Sequence, residues 1–188
     1  MIGEHRLIGD IIGDSFSDDP VNQWIFGGQD SMRSYYTKAA KKLYLSKGYG
    51  YVMENGNGGS LWLPPGVDKH IPVWNSLDIA GSMIRHSGLG SLVRGMVVDD
   101  ALAKAKPRNP HFYLFAIGAR AARQGKGVGG ALMKAGLERV DSEKMPTYLE
   151  CSKESNVGFY RRFGFEVTEV VSPGQGCAPL WLMWRDAI

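Results

Sequence analysis

Between an apolar run and an amphipathic one lies Arg123-Gln124-Gly125-Lys126-Gly127-Val128-Gly129-Gly130, with four glycines in eight residues. Upstream, His111–Ala119 (HFYLFAIGA) predicts a strand apolar enough to be buried on both faces. Downstream, Leu132, Gly136 and Val140, with Met133 and Leu137 beside them, share one face of a helix running to about residue 141. Glycine at a helix start costs about 1 kcal/mol per residue relative to alanine, which a plain connection has no reason to carry. Residues 119–130 also contain no Ser, Thr, Asp or Asn that could cap the helix. The first backbone N–H groups therefore lack a side-chain partner. With the positive dipole end and Arg123 and Lys126 alongside, they form a site for an anion. The alternative is a flexible turn with no ligand.

The remaining elements follow from spacing and punctuation. Ile2, Leu7, Ile8, Ile11, Ile12 and Phe16 predict a helix over 2–16, stopped at Pro20. Residues 30–47 predict a second helix, from an Asp-Ser start to Gly48. Tyr49–Glu54 and Ser60–Leu63 around Asn-Gly-Asn-Gly-Gly predict a hairpin. Helices are expected over 75–86, 91–105 and 155–162, and strands over 147–151, 165–171 and 180–185. The second half thus reads β-α-β-α-β-β. No linker divides the chain, so residues 1–188 are expected to form a single domain, with 1–110 and 111–188 as its two halves.

Composition narrows the function. With 22 Lys and Arg against 19 Asp and Glu, the charge is +3, and the basic residues are scattered. That excludes the clustered basic face expected for nucleic acid and leaves a small anionic ligand. Cys151 and Cys177 form no C-x-x-C pair, so neither a disulfide framework nor a metal site is expected. No signal-peptide core and no membrane-length apolar run occurs, and a cytoplasmic location is expected.

Gly125, Gly127 and Gly130 match G-x-G-x-x-G, and Glu150 falls where a ribose-binding acid sits in dinucleotide folds. Against a nucleotide-dependent oxidoreductase, Gly125 lies six residues past the strand end at Ala119, and only 58 residues follow the loop. Gln124, Gly127 and Gly129 also form Q-x-x-G-x-G. Downstream stand Tyr148-Leu149-Glu150-Cys151-Ser152, then Asn156-x-x-x-Tyr160 and Arg162-Phe163-Gly164-Phe165. Leu180–Arg185 closes the pattern. Together these resemble the GNAT superfamily of N-acetyltransferases. Asp18-Asp19-Pro20 and Leu61-Trp62-Leu63-Pro64-Pro65-Gly66 are similar to its puromycin-N-acetyltransferase-like branch. The sequence departs at Ala119 and Ala121, where the family usually has Val and Pro, and it begins almost at the helix bearing Asp18.

The resemblance implies an α/β (α+β) GNAT fold: a mixed, mostly antiparallel sheet of six or seven strands flanked by helices and splayed at the cofactor site. It implies acetyl transfer from acetyl-CoA directly to the amine of a small molecule, by a monomer or homodimer without metal. A non-catalytic acyl-CoA-binding module is the alternative. Cofactor contacts are implied at Ile117, Gly118, Ala119, Gln124, Gly125, Lys126, Gly127, Val128, Gly129, Gly130 and Asn156. Gly118, near the end of an apolar strand, predicts a bulge or a close backbone approach.

Tyr160, four residues from Asn156 and on the same helix face, is the expected general acid. Glu150, at the end of a predicted strand and facing the same cleft, is the expected base, acting directly or through water, although a surface carboxylate is an equal reading. His111 reads as a turn residue, Asp18 and Asp19 as the turn before Pro20 in preference to a site that attracts a cationic amine, and the two cysteines as small buried residues. Trp24, Trp62, Trp74, Tyr35 and Tyr36 are candidates for an acceptor pocket or for core.

Overall fold

The computed structural model describes residues 4–69 and 73–188; Ile2 and the side chain of Trp74 lie outside the described residues. Among the described residues, six strands form one sheet in the order β1-β2-β3-β4-β6-β5. They are β1 (Tyr49–Val52), β2 (Gly58–Leu63), β3 (Phe112–Ala119), β4 (Thr147–Cys151), β5 (Glu166–Val171) and β6 (Leu180–Arg185). All neighbours are antiparallel except β3 and β4. This is the mixed, mostly antiparallel sheet the sequence implies.

Helices cover both faces. On one lie α1 (Glu4–Ser15), α2 (Pro20–Phe26) and α3 (Gln29–Ala39), which continues through a π-helical turn (Ala40–Tyr44) into α4 (Leu45–Lys47). The same face carries α5 (Val73–Ser87) and α6 (Leu89–Ala105). The other carries α7 (Val128–Ser142) and α8 (Val157–Arg161). Strand alternation divides the core accordingly. In β2, Leu61 and Leu63 pack toward α1 and the π-helical turn while Trp62 packs toward α7.

The π turn has a geometric use. Tyr36 and Tyr44 are eight residues apart, which would set them about 80° apart around an ideal helix. One extra residue taken up in a wide turn brings them back onto one face. Both then reach Phe115, whose ring stacks on Tyr44 at 4.0 Å and tilts against Tyr36 at 5.8 Å.

The first helix ends at Ser15, ahead of Pro20 as expected, and Pro20 then opens a further helix, α2, which Asp19 caps through a 2.8 Å bond from the Asn22 amide. Of the two readings of Gly118 the structure takes the close approach, and the bulge lies elsewhere on β3. Leu61 pairs with Ala116 and Trp62 with Leu114, so Phe115 is the extra residue. Phe115 and Ala116 consequently face the same side, and alternation resumes with Ile117 on the other. Gly118 marks the close approach: a Cβ there would meet the Ser15 side chain at the end of α1.

Candidate functional site

β3 and β4 pair only from Phe112 with Thr147 to Leu114 with Leu149, and then part. The end of β3 beyond the bulge is left without its second neighbour, and the backbone groups a strand would have taken face a gap. That gap opens into a cleft of about 560 Å³. Ile117, Gly118 and Ala119 form one wall, the loop and first turn of α7 the floor, and Asn156, Phe159, Tyr160 and Phe163 the opposite wall.

The loop is held from behind by α1. Arg120 donates to Asp10 at 2.8 Å and to the Gly56 carbonyl at 2.9 Å, and the Ala121 amide donates to Asp14 at 2.9 Å. Gln124 donates to the Ser15 carbonyl at 3.3 Å, so it positions the loop. Gly125 and Gly127 take φ of 73° and 81°, left-handed backbone that side chains rarely adopt. Gly127 is the N-cap of α7 and no side chain caps that helix. Its first N–H groups, including those of Val128, Gly129 and Gly130, have no intrahelical acceptor and open on the cleft. Arg123, Lys153 and Arg162 add positive charge around it. These donors suit a pyrophosphate.

Lys126 does not join them. Its ammonium turns back to the Ala122 carbonyl at 3.4 Å, and its side chain is exposed outside the cleft wall. Asn156 is exposed at the cleft edge and makes no capping bond. The Tyr160 phenol is pushed well above its usual value by burial, reinforced by Cys151 and Asp19, and stays protonated. Burial likewise raises the Cys151 thiol to about 11, so it stays neutral beside the Lys153 carbonyl that accepts its proton at 3.1 Å.

Glu150 lies elsewhere than expected. Like Tyr148 it points to the opposite sheet face, where it lines a second cavity of about 370 Å³. There its carboxylate accepts from Lys69 at 3.1 Å, Tyr113 at 2.8 Å and Tyr148 at 3.2 Å. Phe16, Tyr35, Tyr36, Tyr44 and Phe115 give this cavity aromatic walls. Of the aromatic candidates, Tyr35 and Tyr36 line it. Trp62 is instead fully buried core, donating to Ser60 at 2.9 Å, and Trp24 packs under Arg94 at 5.8 Å. His111 is away from both cavities, edge-on to Tyr148 and Trp184, its ring basicity lowered by burial.

The two cavities meet at Phe16, which lines both. Beside it Asp19, on the cleft, accepts a hydrogen bond from Ser152, on the second cavity. Asp18 is spent on an ion pair with Lys153. Ser152, Lys69, Lys153 and Arg162 carry no sequence expectation. Ser152 was within reach of one, since residues 148, 150 and 152 share the two-residue period of a strand.

The model of the acetyltransferase (GNAT) family matches residues 84–165. An uncharacterized N-acetyltransferase of Schizosaccharomyces pombe is 30% identical over 173 residues, covering 81% of this chain and 66% of that protein. The chain thus spans just under two thirds of that relative. A solved Corynebacterium glutamicum structure, described as histone acetyltransferase HPA2 and related acetyltransferase, superposes with a TM-score of 0.72 at 22% identity, over 100% of this chain and 93% of that one. Arylalkylamine N-acetyltransferase 2 of Aedes aegypti superposes with a TM-score of 0.60 at 12% identity, over 98% and 94%. The splayed sheet and the uncapped glycine-rich helix start lie within the region that matches the GNAT family model, and the chain is similar to GNAT acetyltransferases in sequence there and in fold throughout.

Proposed function

We propose that the protein moves an acetyl group from acetyl-CoA directly to the amine of a small molecule. One observation carries this reading: the uncapped start of α7, the unpaired end of β3 and the Tyr160 phenol all face one cleft. The N–H groups of the α7 first turn hold the pyrophosphate, with Arg123 nearby. The free edge of β3 at Ile117–Ala119 takes the pantetheine as an added strand, and a backbone N–H there steadies the carbonyl oxygen as charge builds on it. Tyr160 donates a proton to the leaving sulfur.

The acceptor enters the second cavity, whose 370 Å³ suits a small molecule with an apolar body. The names of the yeast and mosquito relatives support an amine as acceptor. Asp18-Asp19-Pro20 at the junction supports placement in the puromycin-N-acetyltransferase-like branch.

Calorimetry with acetyl-CoA, CoA, NAD and NADP, followed by CoA-thiol release across an amine panel, tests the proposal. Binding of both CoA species and turnover of at least one amine are expected. Binding of NAD without CoA would return the oxidoreductase reading. CoA binding without turnover of any amine would make the protein a non-catalytic acyl-CoA module.

A further inference from the structure

Amine acetylation needs a group that takes a proton from the acceptor nitrogen where the acceptor meets the thioester. Glu150 is poorly placed for it. All three of its donors would have to adjust to a protonated carboxyl, and Lys69 would be left with a buried, uncompensated charge. It also lies two residues along the strand from Ser152, about 7 Å from the junction.

Asp19 is different. It is 3% exposed, and among the described residues its carboxylate has only uncharged donors. Asn22 supplies its amide and its side-chain Nδ2, both at 2.8 Å to Oδ1, and Ser152 supplies its hydroxyl to Oδ2. Asn22 is itself fixed by the Tyr36 hydroxyl at 2.7 Å. The surrounding titratable groups are Asp18 and Lys153, paired with each other, Tyr36 behind Asn22, and Tyr160, Cys151 and Cys177.

Resting on the acetyltransferase reading, we propose that Ser152 and Asp19 form the proton-accepting pair of the reaction. Ser152 Oγ takes a proton from the acceptor ammonium as its own proton passes to Asp19 Oδ2, freeing the nitrogen lone pair. The C–N bond then forms at the thioester carbonyl and the C–S bond breaks. Tyr160 protonates the sulfur and is itself reprotonated, through water, by one of the two protons on the newly acylated nitrogen, the other staying in the amide. Asp19 releases its proton to solvent through the cleft it lines. The products are amide, CoA thiol and one proton.

The test uses the full chain and an amine that the wild type acetylates. Ser152→Ala and Asp19→Asn should each lower kcat/KM by about 10²-fold or more at pH below the amine's own pKa. The deficit should shrink as pH rises and the free amine appears. The double variant should be no worse than the poorer single, because the pair acts as a unit. Ser152→Thr keeps a hydroxyl and should recover activity. Acetyl-CoA affinity and melting temperature should hold in Ser152→Ala, and asparagine caps a helix as well as aspartate. A Ser152→Ala protein with wild-type kcat/KM across the pH range would overturn the pair, whatever happens to Asp19→Asn. A wild type that binds no acetyl-CoA would overturn the acetyltransferase reading instead, and this proposal with it.

Discussion

Glu150 Oε1 lies 3.1 Å from Lys69 Nζ across the floor of the aromatic cavity, with side chains only 9% and 10% exposed. An ion pair this deep is costly to break, because the surviving partner keeps its charge without water. Glu150→Gln should therefore destabilise the fold by about 3–5 kcal/mol, and Glu150→Gln with Lys69→Met should recover much of the loss. Urea denaturation of the three variants measures this. A Glu150→Gln protein as stable as wild type, with a depressed low-pH limb in kcat/KM, would assign the proton transfer to Glu150.

Tyr160→Phe deletes one hydroxyl and keeps the ring that packs edge-on to Phe159 at 5.2 Å and Phe165 at 6.1 Å. As the proton source, the hydroxyl should be worth about 10²–10⁴-fold in kcat, with acetyl-CoA affinity unchanged. Its raised pKa keeps the phenol protonated, so the wild-type profile should show no loss of the acid as pH rises through about 10. A purified variant turning over within a few-fold of wild type removes Tyr160 from the chemistry.

Gly129 separates binding from folding more cleanly than Gly127, whose positive φ would strain any replacement. At Gly129 an added Cβ meets the Phe159 ring at 3.5 Å, an ordinary contact. Gly129→Ala should thus raise the melting temperature, since alanine is about 1 kcal/mol better in a helix. It should nonetheless weaken CoA by tenfold or more, because the methyl intrudes where the anion approaches the backbone. Equal CoA affinity by calorimetry in the two proteins would place the pyrophosphate elsewhere.

High pH should unfold the protein through its tyrosines. Burial, with Asp99 and Glu150 nearby, pushes Tyr35 up to about 12, and burial raises Tyr36, Tyr44, Tyr113, Tyr148 and Tyr160 as well. In the unfolded chain these phenols ionise near about 10, so above that pH the unfolded state binds fewer protons and stability declines. This contribution is complete below about pH 10 and is lost as pH climbs toward 12 and beyond. Melting temperatures at about pH 9, 10 and 11 should fall across the last step. A flat series contradicts the burial of these rings.

The elements that read clearly from the sequence were those whose cause is local. The four glycines at 125–130, with no capping residue nearby, required an unusual helix start, and Val128 does begin α7 at an uncapped Gly127. Helix α2 escaped notice because Pro20 reads as a stop, and seven residues are too few to show a helical period. Gly118 reads as a bulge or a close approach, and the close approach, to Ser15, is the one found; a bulge at a bulky phenylalanine leaves no trace in composition. Lys126 looked like an anion ligand by proximity alone; a loop spacing does not say which way a side chain points. The Lys69–Glu150 and Asp19–Ser152 contacts join residues 81 and 133 positions apart, and nothing short-range announces them.

Phe115 leaves one last consequence. On β3, Phe112 and Leu114 face α7, Phe115 and Ala116 face the opposite layer, and Ile117 returns to the first. Deleting Phe115 would remove the doubled step and leave a regular ladder, with Ala116 still opposite Leu61, Ile117 still facing α7 and Gly118 still under Ser15. The strand can therefore lose one residue here and keep both of its layers. Away from the bulge, a lost residue turns everything beyond it over. What the loss would cost is the Phe115 ring, which stacks on Tyr44 in the wall of the second cavity.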